Sequence, residues 1–138
     1  MPISTEHVGR SYPPLHYRVT AGKIAEFAAA LGDENPAYQG DAAVAPPTFP
    51  VVLASWDAVF GDAELALALN RTIHVEQKFA YARPLRAGDD VTATLRIENV
   101  RVRGQVDMVT VATSIDTTAG EHVCTMTSSL FHTREEGS

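Results

Sequence analysis

Two short segments of this 138-residue chain carry side chains whose types and spacing suit proton transfer. The first is the segment 32–38, Gly-Asp-Glu-Asn-Pro-Ala-Tyr, in which Asp33 supplies a carboxylate and Tyr38 a phenol. The second is His74 with Glu76, two residues apart in a β-rich stretch, where alternate side chains point to the same face. Carboxylates, imidazoles and phenols held beside a reacting group act as general acids or bases. Both segments are therefore candidates for acid–base catalysis.

Each candidate also has a purely structural interpretation. Aspartate, asparagine and proline form turns through local hydrogen bonds and restricted backbone angles, so Asp33 and Asn35-Pro36 are typical of a loop whatever its activity. Tyr38 is either the wall of a substrate channel or a packing residue. His74 and Glu76 are either an acid–base pair or part of an ordinary polar face on a strand.

The composition argues against several other classes of function. Acidic residues outnumber basic ones by 17 to 11, and the net charge of −6 disfavours a general affinity for nucleic acid. His7, His16, His122 and His132 lack the spacing of metal ligands, and no glycine-rich phosphate loop or nucleophile elbow occurs, so we expect no metal site and no cofactor. The single cysteine permits no internal disulfide. No apolar run approaches the roughly 18 residues of a membrane span, so we expect a cytoplasmic protein with no membrane span and no secretory leader.

Basic residues concentrate in the central third of the chain. They are Arg71, Lys78, Arg83, Arg86, Arg96, Arg101 and Arg103. Two interpretations remain open: these residues lie on the solvated outer face of strands, or some of them form a local anion site.

Helical periodicity marks two segments before residue 60. Between Ala21 and Leu31 apolar residues recur at offsets of three, four and seven, with Thr20 and Gly32 suited to cap the two ends. A proline-rich approach leads into a second helix that continues through 51–60, with Thr48 as its expected N-cap and Pro50 in its first turn. Apolar residues cover nearly its whole circumference, so we expect it to be buried. Trp56 and Phe60 then either pack in the core or bound a tunnel.

From residue 72 the apolar pattern changes to a period of two. It predicts strands at 72–81, 91–98, 108–117 and 122–133, and a short strand before the first helix. A long antiparallel sheet needs a cover on one face, which the apolar helix around Trp56 supplies, and its open edges favour a partner. The sequence therefore predicts one α+β domain over residues 1–138, with a frayed tail at 134–138.

The segment 32–38 resembles the G-D-x-N-P-x-H signature of MaoC-like R-specific enoyl-CoA hydratases, with Tyr38 in place of the histidine. The segments 45–50, 74–79 and 83–89 are similar to the N-terminal-type, FAS1-like MaoC dehydratase domain, including the A-type subunits of actinobacterial (3R)-hydroxyacyl-ACP dehydratases. The resemblance covers nearly the whole chain. It implies a hot-dog fold, in which a curled antiparallel sheet wraps a long central helix.

The family reaction adds water to a 2-enoyl thioester to give the (3R)-hydroxyacyl thioester, or runs in reverse. In active members the signature aspartate and histidine handle the water and its proton, while amides near the start of the central helix stabilise the enolate-like oxygen. The resemblance assigns Asp33 and Asn35 to the aspartate and asparagine positions. A phenol keeps its proton at neutral pH, whereas an imidazole exchanges one readily, so Tyr38 does not replace the family base.

The resemblance thus implies a subunit of a hydratase or dehydratase that takes an acyl-CoA or acyl-ACP substrate. The expected role is substrate binding, in a heterodimer whose MaoC-like partner supplies the complete dyad. The expected substrate-binding residues are Asn35, Pro47, Thr48, Phe49, Trp56 and Phe60. Two alternatives remain open: a self-sufficient homodimeric hydratase that uses Asp33, Tyr38 or His74, and a non-enzymatic acyl-binding module. Under each of them the basic residues are candidates to meet the phosphates of coenzyme A or the acidic surface of an acyl carrier protein.

Overall fold

The computed structural model describes residues 2–135 and contains one antiparallel sheet with short helices packed against one face. The strands are β1 (Leu15–Arg18), β2 (Thr72–Tyr81), β3 (Asp90–Arg103), β4 (Val106–Thr117) and β5 (His122–Thr133). The α-helices are α1 (Ala21–Leu31) and α2 (Trp56–Phe60), and 3-10 helices lie at Thr5–His7, Pro36–Tyr38, Phe49–Leu53 and Leu69–Arg71. The predicted α+β class is confirmed.

The strand order in the sheet is β1-β3-β4-β5-β2, and each neighbouring pair is antiparallel. Along β4 and most of β5, buried residues alternate with partly exposed ones. This pattern follows from a strand's period of two when one face of the sheet meets the core. β2 returns to pair with β5, so β1 and β2 form the two edges of the sheet.

Two apolar clusters fill the space between the sheet and the helices. The first joins Ile24 of α1 and Phe49 of the third 3-10 helix to the inner face of β3, β4 and β5. The second joins Val59 of α2 and Leu65 of the following loop to β3 and β4. All four of these side chains are fully buried, so α1, α2 and the 3-10 helix at Phe49–Leu53 are held by apolar contact with the sheet.

Helix α1 begins and ends where the sequence predicts. The side-chain oxygen of Thr20 accepts a hydrogen bond from the amide of Lys23 at 3.1 Å, which satisfies one free amide of the first turn. Gly32 ends the helix with a left-handed φ of 72°, a conformation that glycine adopts without steric cost. Phe27 meets Phe49 edge-on, with ring centroids 5.4 Å apart.

The prediction of one long second helix is wrong. The segment forms a 3-10 helix, Phe49–Leu53, and the five-residue helix α2, separated by extended backbone at Ala54 and non-helical backbone at Ser55. Thr48 precedes the 3-10 helix, but its side chain makes no capping hydrogen bond. A segment that is apolar on all sides carries no period to mark a break, and its β-branched valines lower helix propensity. The apolar residues instead divide between the two core clusters.

A buried polar cluster joins β4, β5 and the N-terminal segment. His132 Nδ1 lies 2.9 Å from a carboxylate oxygen of Asp107, and His132 Nε2 accepts the amide of Ala68 at 3.0 Å. Because Nε2 is an acceptor, the ring proton sits on Nδ1 and is donated to Asp107. Arg134 Nε donates to the other oxygen of Asp107 at 2.9 Å, and Nη2 of the same side chain donates to the carbonyl of Ile3 at 3.0 Å.

The tail predicted at 134–138 lies mostly outside the described residues, and within them Arg134 makes the contacts given above. Across residues 2–135, the structure contains no helix with the length and apolar character needed to span a bilayer.

Candidate functional site

A cavity of about 320 Å³ opens between the loop that follows α1, the approach to the 3-10 helix at Phe49–Leu53, and the end of β2. Its walls are Tyr38, Val44, Ala45, Pro47, Tyr81 and Pro84. Aliphatic and proline side chains make up most of this lining, and the two phenols add hydrogen-bonding capacity. Such a lining suits a mainly apolar ligand with a few polar groups.

Backbone pairing fixes two sides of the cavity relative to each other. Val44 lies opposite Arg86 in an isolated antiparallel bridge. Two backbone hydrogen bonds of 2.8 and 2.9 Å flank the bridge and tie the segment 43–45 to the segment 85–87. The turn that follows is held by Asp89, whose carboxylate accepts the amide of Arg86 at 2.8 Å and two hydrogen bonds from Arg83 at 2.9 and 3.1 Å.

Tyr81 fixes a third side of the cavity. Its hydroxyl donates a hydrogen bond to the carbonyl of Pro47, and its ring stacks against Phe79 with centroids 6.3 Å apart. Burial, with a smaller contribution from the nearby Cys124, raises the pKa of the Tyr81 hydroxyl above its usual value. Tyr81 is therefore a neutral donor at physiological pH and connects β2 to the approach to the 3-10 helix.

The loop at 32–38 is shaped by its own side chains. Asp33 accepts the amide of Asn35 at 3.0 Å, and Asn35 in turn accepts the amide of Ala37 at 3.0 Å. Both are turns in which a short polar side chain bonds its own backbone two residues on. Tyr38 lines the cavity, whereas Asp33 borders a separate depression together with Gly32 and neighbouring residues. The residues at the two signature positions therefore border different pockets.

The side chains of His74 and Glu76, which the sequence leaves open as an acid–base pair or an ordinary polar face, do not bond to each other. The register between β2 and β5 shifts between these two residues, which makes Val75 the extra residue of a β-bulge and interrupts the alternation of faces. His74 Nε2 lies 2.9 Å from the backbone carbonyl of Glu76, and the Glu76 carboxylate lies 3.4 Å from Nζ of Lys78. The imidazole also meets the ring of Trp56 at a centroid distance of 6.1 Å.

Of the residues expected to bind substrate, Pro47 lines the cavity. Phe49 is fully buried in the first core cluster, and Trp56 and Phe60 pack against the second, with ring centroids 6.4 Å apart. Thr48 is exposed beside the cavity lining. Asn35 is also exposed, where it shapes the loop that carries Tyr38.

Four cavity residues, Val44, Ala45, Tyr81 and Pro84, were not expected from the sequence. Val44, Ala45 and Pro84 carry no acid–base or metal chemistry, and the Tyr81 phenol lies outside both segments that hold the candidate acid–base residues. More than 30 residues separate the two halves of the cavity along the chain. Pairing of the segments 43–45 and 85–87, which periodicity does not predict, brings them together. Among the described residues, no group of three or more histidine, cysteine or acidic side chains converges to hold a metal ion.

Most of the central basic residues have protein partners. Arg83 pairs with Asp89, and hydrogen bonds from Arg83 and from the Arg86 amide outweigh the effect of burial to lower the pKa of Asp89. The other engaged side chains are Arg71, on two backbone carbonyls, Lys78, on Glu76, and Arg96, on Glu98. Over residues 2–135, Arg86, Arg101 and Arg103 form no ion pair within 4.0 Å.

A family model described as the FAS1-like dehydratase domain region matches residues 6–126. The chain belongs to this family. It is 52% identical over 140 residues to a UPF0336 protein of Cutibacterium acnes, with 99% of both chains covered. It is 42% identical over 142 residues to a UPF0336 protein of Thermobifida fusca, with 94% of this chain and 93% of the relative covered.

Solved structures of dehydratases share the fold. A chain of the HadBC (3R-hydroxyacyl-ACP dehydratase) complex from Mycobacterium tuberculosis superposes with a TM-score of 0.80 at 26% identity, covering 94% of this chain and 99% of that one. A MaoC-like dehydratase superposes equally well, with a TM-score of 0.80 at 23% identity, covering 94% of this chain and 43% of that one. The expected hot-dog fold and the resemblance to the FAS1-like dehydratase domain are thereby confirmed.

Proposed function

We propose that this chain is the substrate-binding subunit of a (3R)-hydroxyacyl thioester dehydratase, or R-specific enoyl thioester hydratase, whose partner subunit supplies the acid–base dyad. Membership of the dehydratase-domain family and the 26% identity to a chain of HadBC support hydratase or dehydratase chemistry for the assembly. The proposed compartment is the cytoplasm, because the chain has one cysteine and that cysteine is a free, buried thiol.

The separation of Asp33 from Tyr38 is the observation that carries this proposal. A general acid or base must lie within hydrogen-bond reach of the proton that it transfers. Tyr38 borders the cavity of about 320 Å³, but Asp33 borders another depression, and its carboxylate accepts a loop amide. Asp33 therefore acts as a loop-forming residue, and Tyr38 acts as part of the wall that contacts the acyl thioester.

The free edge of β2 is the proposed site of subunit pairing. β2 is ten residues long and bonds to β5 on one side, and no strand of residues 2–135 pairs with its other side. Its exposed apolar residues include Ile73 and Val75, at 66% and 49% exposure. A long edge strand with such side chains is a template for pairing with another chain. The partner would then lie close to Tyr81, at the end of the same strand.

The proposal is tested by following hydration of crotonyl-CoA and of a longer 2-enoyl-CoA as loss of enoyl absorbance. The chain is measured alone and mixed with a co-encoded MaoC-like protein that retains the complete signature. We expect turnover only in the mixture. In that mixture Asp33→Asn retains activity within about twofold, whereas the same change at the partner's signature aspartate removes it, because losing an acid–base group costs about 10²-fold or more.

Two results would replace the proposal. Strong turnover by the chain alone, abolished by Asp33→Asn or His74→Ala in a folded protein, would establish a self-sufficient homodimeric hydratase. An acyl ligand detected by native mass spectrometry, with no turnover in any mixture, would establish a non-enzymatic acyl-binding module.

A further inference from the structure

Arg86 stands beside the cavity without an acidic partner. The bridge between Val44 and Arg86 is of the type in which neighbouring residues on either side exchange the backbone hydrogen bonds, here Ala45 to Leu85 and Ala87 to Ala43. In such a pair the two Cα atoms lie close together, about 4.5 Å apart, and the side chains project to the same face. Because Val44 lines the cavity, Arg86 projects toward its mouth.

The alternation of buried and exposed residues along the segment 84–87 independently indicates the same direction for the Arg86 side chain. Pro84 lines the cavity, Leu85 is fully buried, Arg86 is exposed, and Ala87 packs against the first core cluster. Alternate residues of an extended segment share a face, so Arg86 lies on the face of Pro84. Both arguments therefore place the Arg86 side chain on the face of the bridge that borders the cavity.

Asp89, in the same turn, makes no ion pair with the Arg86 guanidinium. Asp89 accepts two hydrogen bonds from Arg83 and one from the backbone amide of Arg86, and its lowered pKa keeps it ionised beside Arg83. Arg83 pairs with both Asp89 and Glu121, and Arg86 acts on Asp89 through its backbone amide and a longer-range Coulombic attraction. The Arg86 guanidinium itself forms no ion pair within 4.0 Å among residues 2–135, which leaves its donors available for an external anion. Among the basic residues of the central third, Arg86 combines this availability with a place at the cavity.

We propose that Arg86 binds the phosphate ester of the phosphopantetheine arm that carries the acyl group, and that the cavity receives this arm. The inference rests on the proposed function, because it identifies which part of an acyl thioester this chain holds. A guanidinium at the mouth has no favourable contact to offer a hydrocarbon tail, whereas it matches phosphate oxygens in charge and geometry. The mainly apolar walls and the phenol of Tyr38 suit an arm of methylene groups and amides.

Isothermal titration calorimetry of the full chain with phosphopantetheine and with pantetheine, which lacks the phosphate, tests the inference. We expect phosphopantetheine to bind about tenfold more tightly, since a hydrogen-bonded charge pair contributes on this scale. Arg86→Gln should remove this difference. The matched control is Arg103→Gln, because Arg103 is also exposed and unpaired among the described residues but lies at the far end of β3. Raising the salt concentration from about 50 to about 500 mM should reduce the difference in the wild type.

Titrations with coenzyme A and with a holo-acyl carrier protein separate the two sources of this phosphate. If Arg86→Gln weakens the affinity for coenzyme A and for the carrier protein by the same factor, a shared phosphate site is supported. Equal binding of phosphopantetheine and pantetheine by the wild type would overturn the inference, as would equal losses in the Arg86 and Arg103 variants. If Arg86→Gln weakens the affinity for the carrier protein but not for coenzyme A, the inference would also be overturned, since Arg86 would then contact the carrier's surface. Turnover in the two-subunit mixture with an unchanged KM for Arg86→Gln would reject this inference and leave the proposed function intact.

Discussion

Replacing Asp107 by asparagine tests how much the buried polar cluster stabilises the fold. The side chain of Asp107 is 1% exposed and accepts hydrogen bonds from His132 Nδ1 and Arg134 Nε, both at 2.9 Å. Asparagine keeps the shape but removes the charge, and its amide group presents hydrogens to one of these donors. Arg134, whose side chain is 17% exposed, then loses its counter-ion in a poorly solvated position.

The expected loss in the free energy of unfolding follows from the burial of the cluster. Removing one partner of a buried ion pair costs about 3 to 5 kcal/mol, and the partial solvent access of Arg134 places this case near about 3 kcal/mol. The entropy of unfolding, about 2.1 cal/mol/K per residue, amounts to about 0.3 kcal/mol per degree for 138 residues. The Asp107→Asn variant should therefore melt about 10 °C below the wild type.

Differential scanning calorimetry at pH 7 and matched protein concentrations measures this change. The control is Asp116→Asn, whose carboxylate pairs with His122 at 2.7 Å but lies nearer the surface, with the two side chains 34% and 47% exposed. Such pairs contribute at most about 1 kcal/mol, so this variant should melt within about 3 °C of the wild type. Equal, small shifts in the two variants would refute the assignment of a stabilising role to the buried carboxylate.

Three further predictions concern single positions. Tyr38→His restores the signature histidine but should leave the chain alone inactive on crotonyl-CoA, because Asp33 borders a different depression. Burial raises the pKa of the Cys124 thiol to about 11, so the folded thiol stays neutral where the unfolded one ionises. The stability that this provides is complete below about pH 9 and is lost as the pH rises toward 11, and urea midpoints should fall less steeply over this range in Cys124→Ala. Ile73→Lys places a charge on the exposed edge of β2 and should weaken its pairing with the partner subunit. Sedimentation velocity of the two-subunit mixture should then show more free subunits, with little change in the melting temperature of this chain.

Each of these predictions has an outcome that contradicts it. Hydration by the Tyr38→His chain alone would mean that Asp33 reaches the cavity in solution. Parallel alkaline profiles for Cys124→Ala and the wild type would show that the thiol does not contribute to alkaline unfolding. An unchanged oligomer in Ile73→Lys would exclude the β2 edge as the pairing surface, with a melting curve as the control for folding.

Much of the fold is predictable because its local signals agree with one another. Helix α1 has a period, an N-cap and a C-cap, and its observed bounds match the predicted ones. The strands β2 and β5 also have the predicted bounds, since their alternation is bounded by turn residues. The segment 49–60 lacks such signals, because apolar residues on every side give no periodic pattern that marks where a helix breaks.

The candidate site is less predictable, because it depends on pairings between distant segments. The sequence indicates Tyr38 and Pro47 through the family resemblance, but Val44 and Tyr81 carry no signal of their own. The bulge at Val75 is likewise invisible to a pattern with a period of two, and it changes the direction of the side chains around His74. Register shifts of this kind arise from packing of the whole sheet and not from local sequence.

The two subunits of the proposed enzyme should differ in how substitutions change the kinetics of the mixture. Tyr38 lines the cavity and Asp33 borders a different pocket, so under the proposed function the phenol contacts the bound acyl thioester in the same way before and during the reaction. Tyr38→Ala should therefore raise KM by about five- to tenfold and leave kcat nearly unchanged, because uniform binding affects KM alone. Substitution of the partner's dyad should instead lower kcat. A fall in kcat that matches the fall in kcat/KM for Tyr38→Ala would mean that this phenol contacts the reacting atoms, and the chain would then be part of the catalytic machinery.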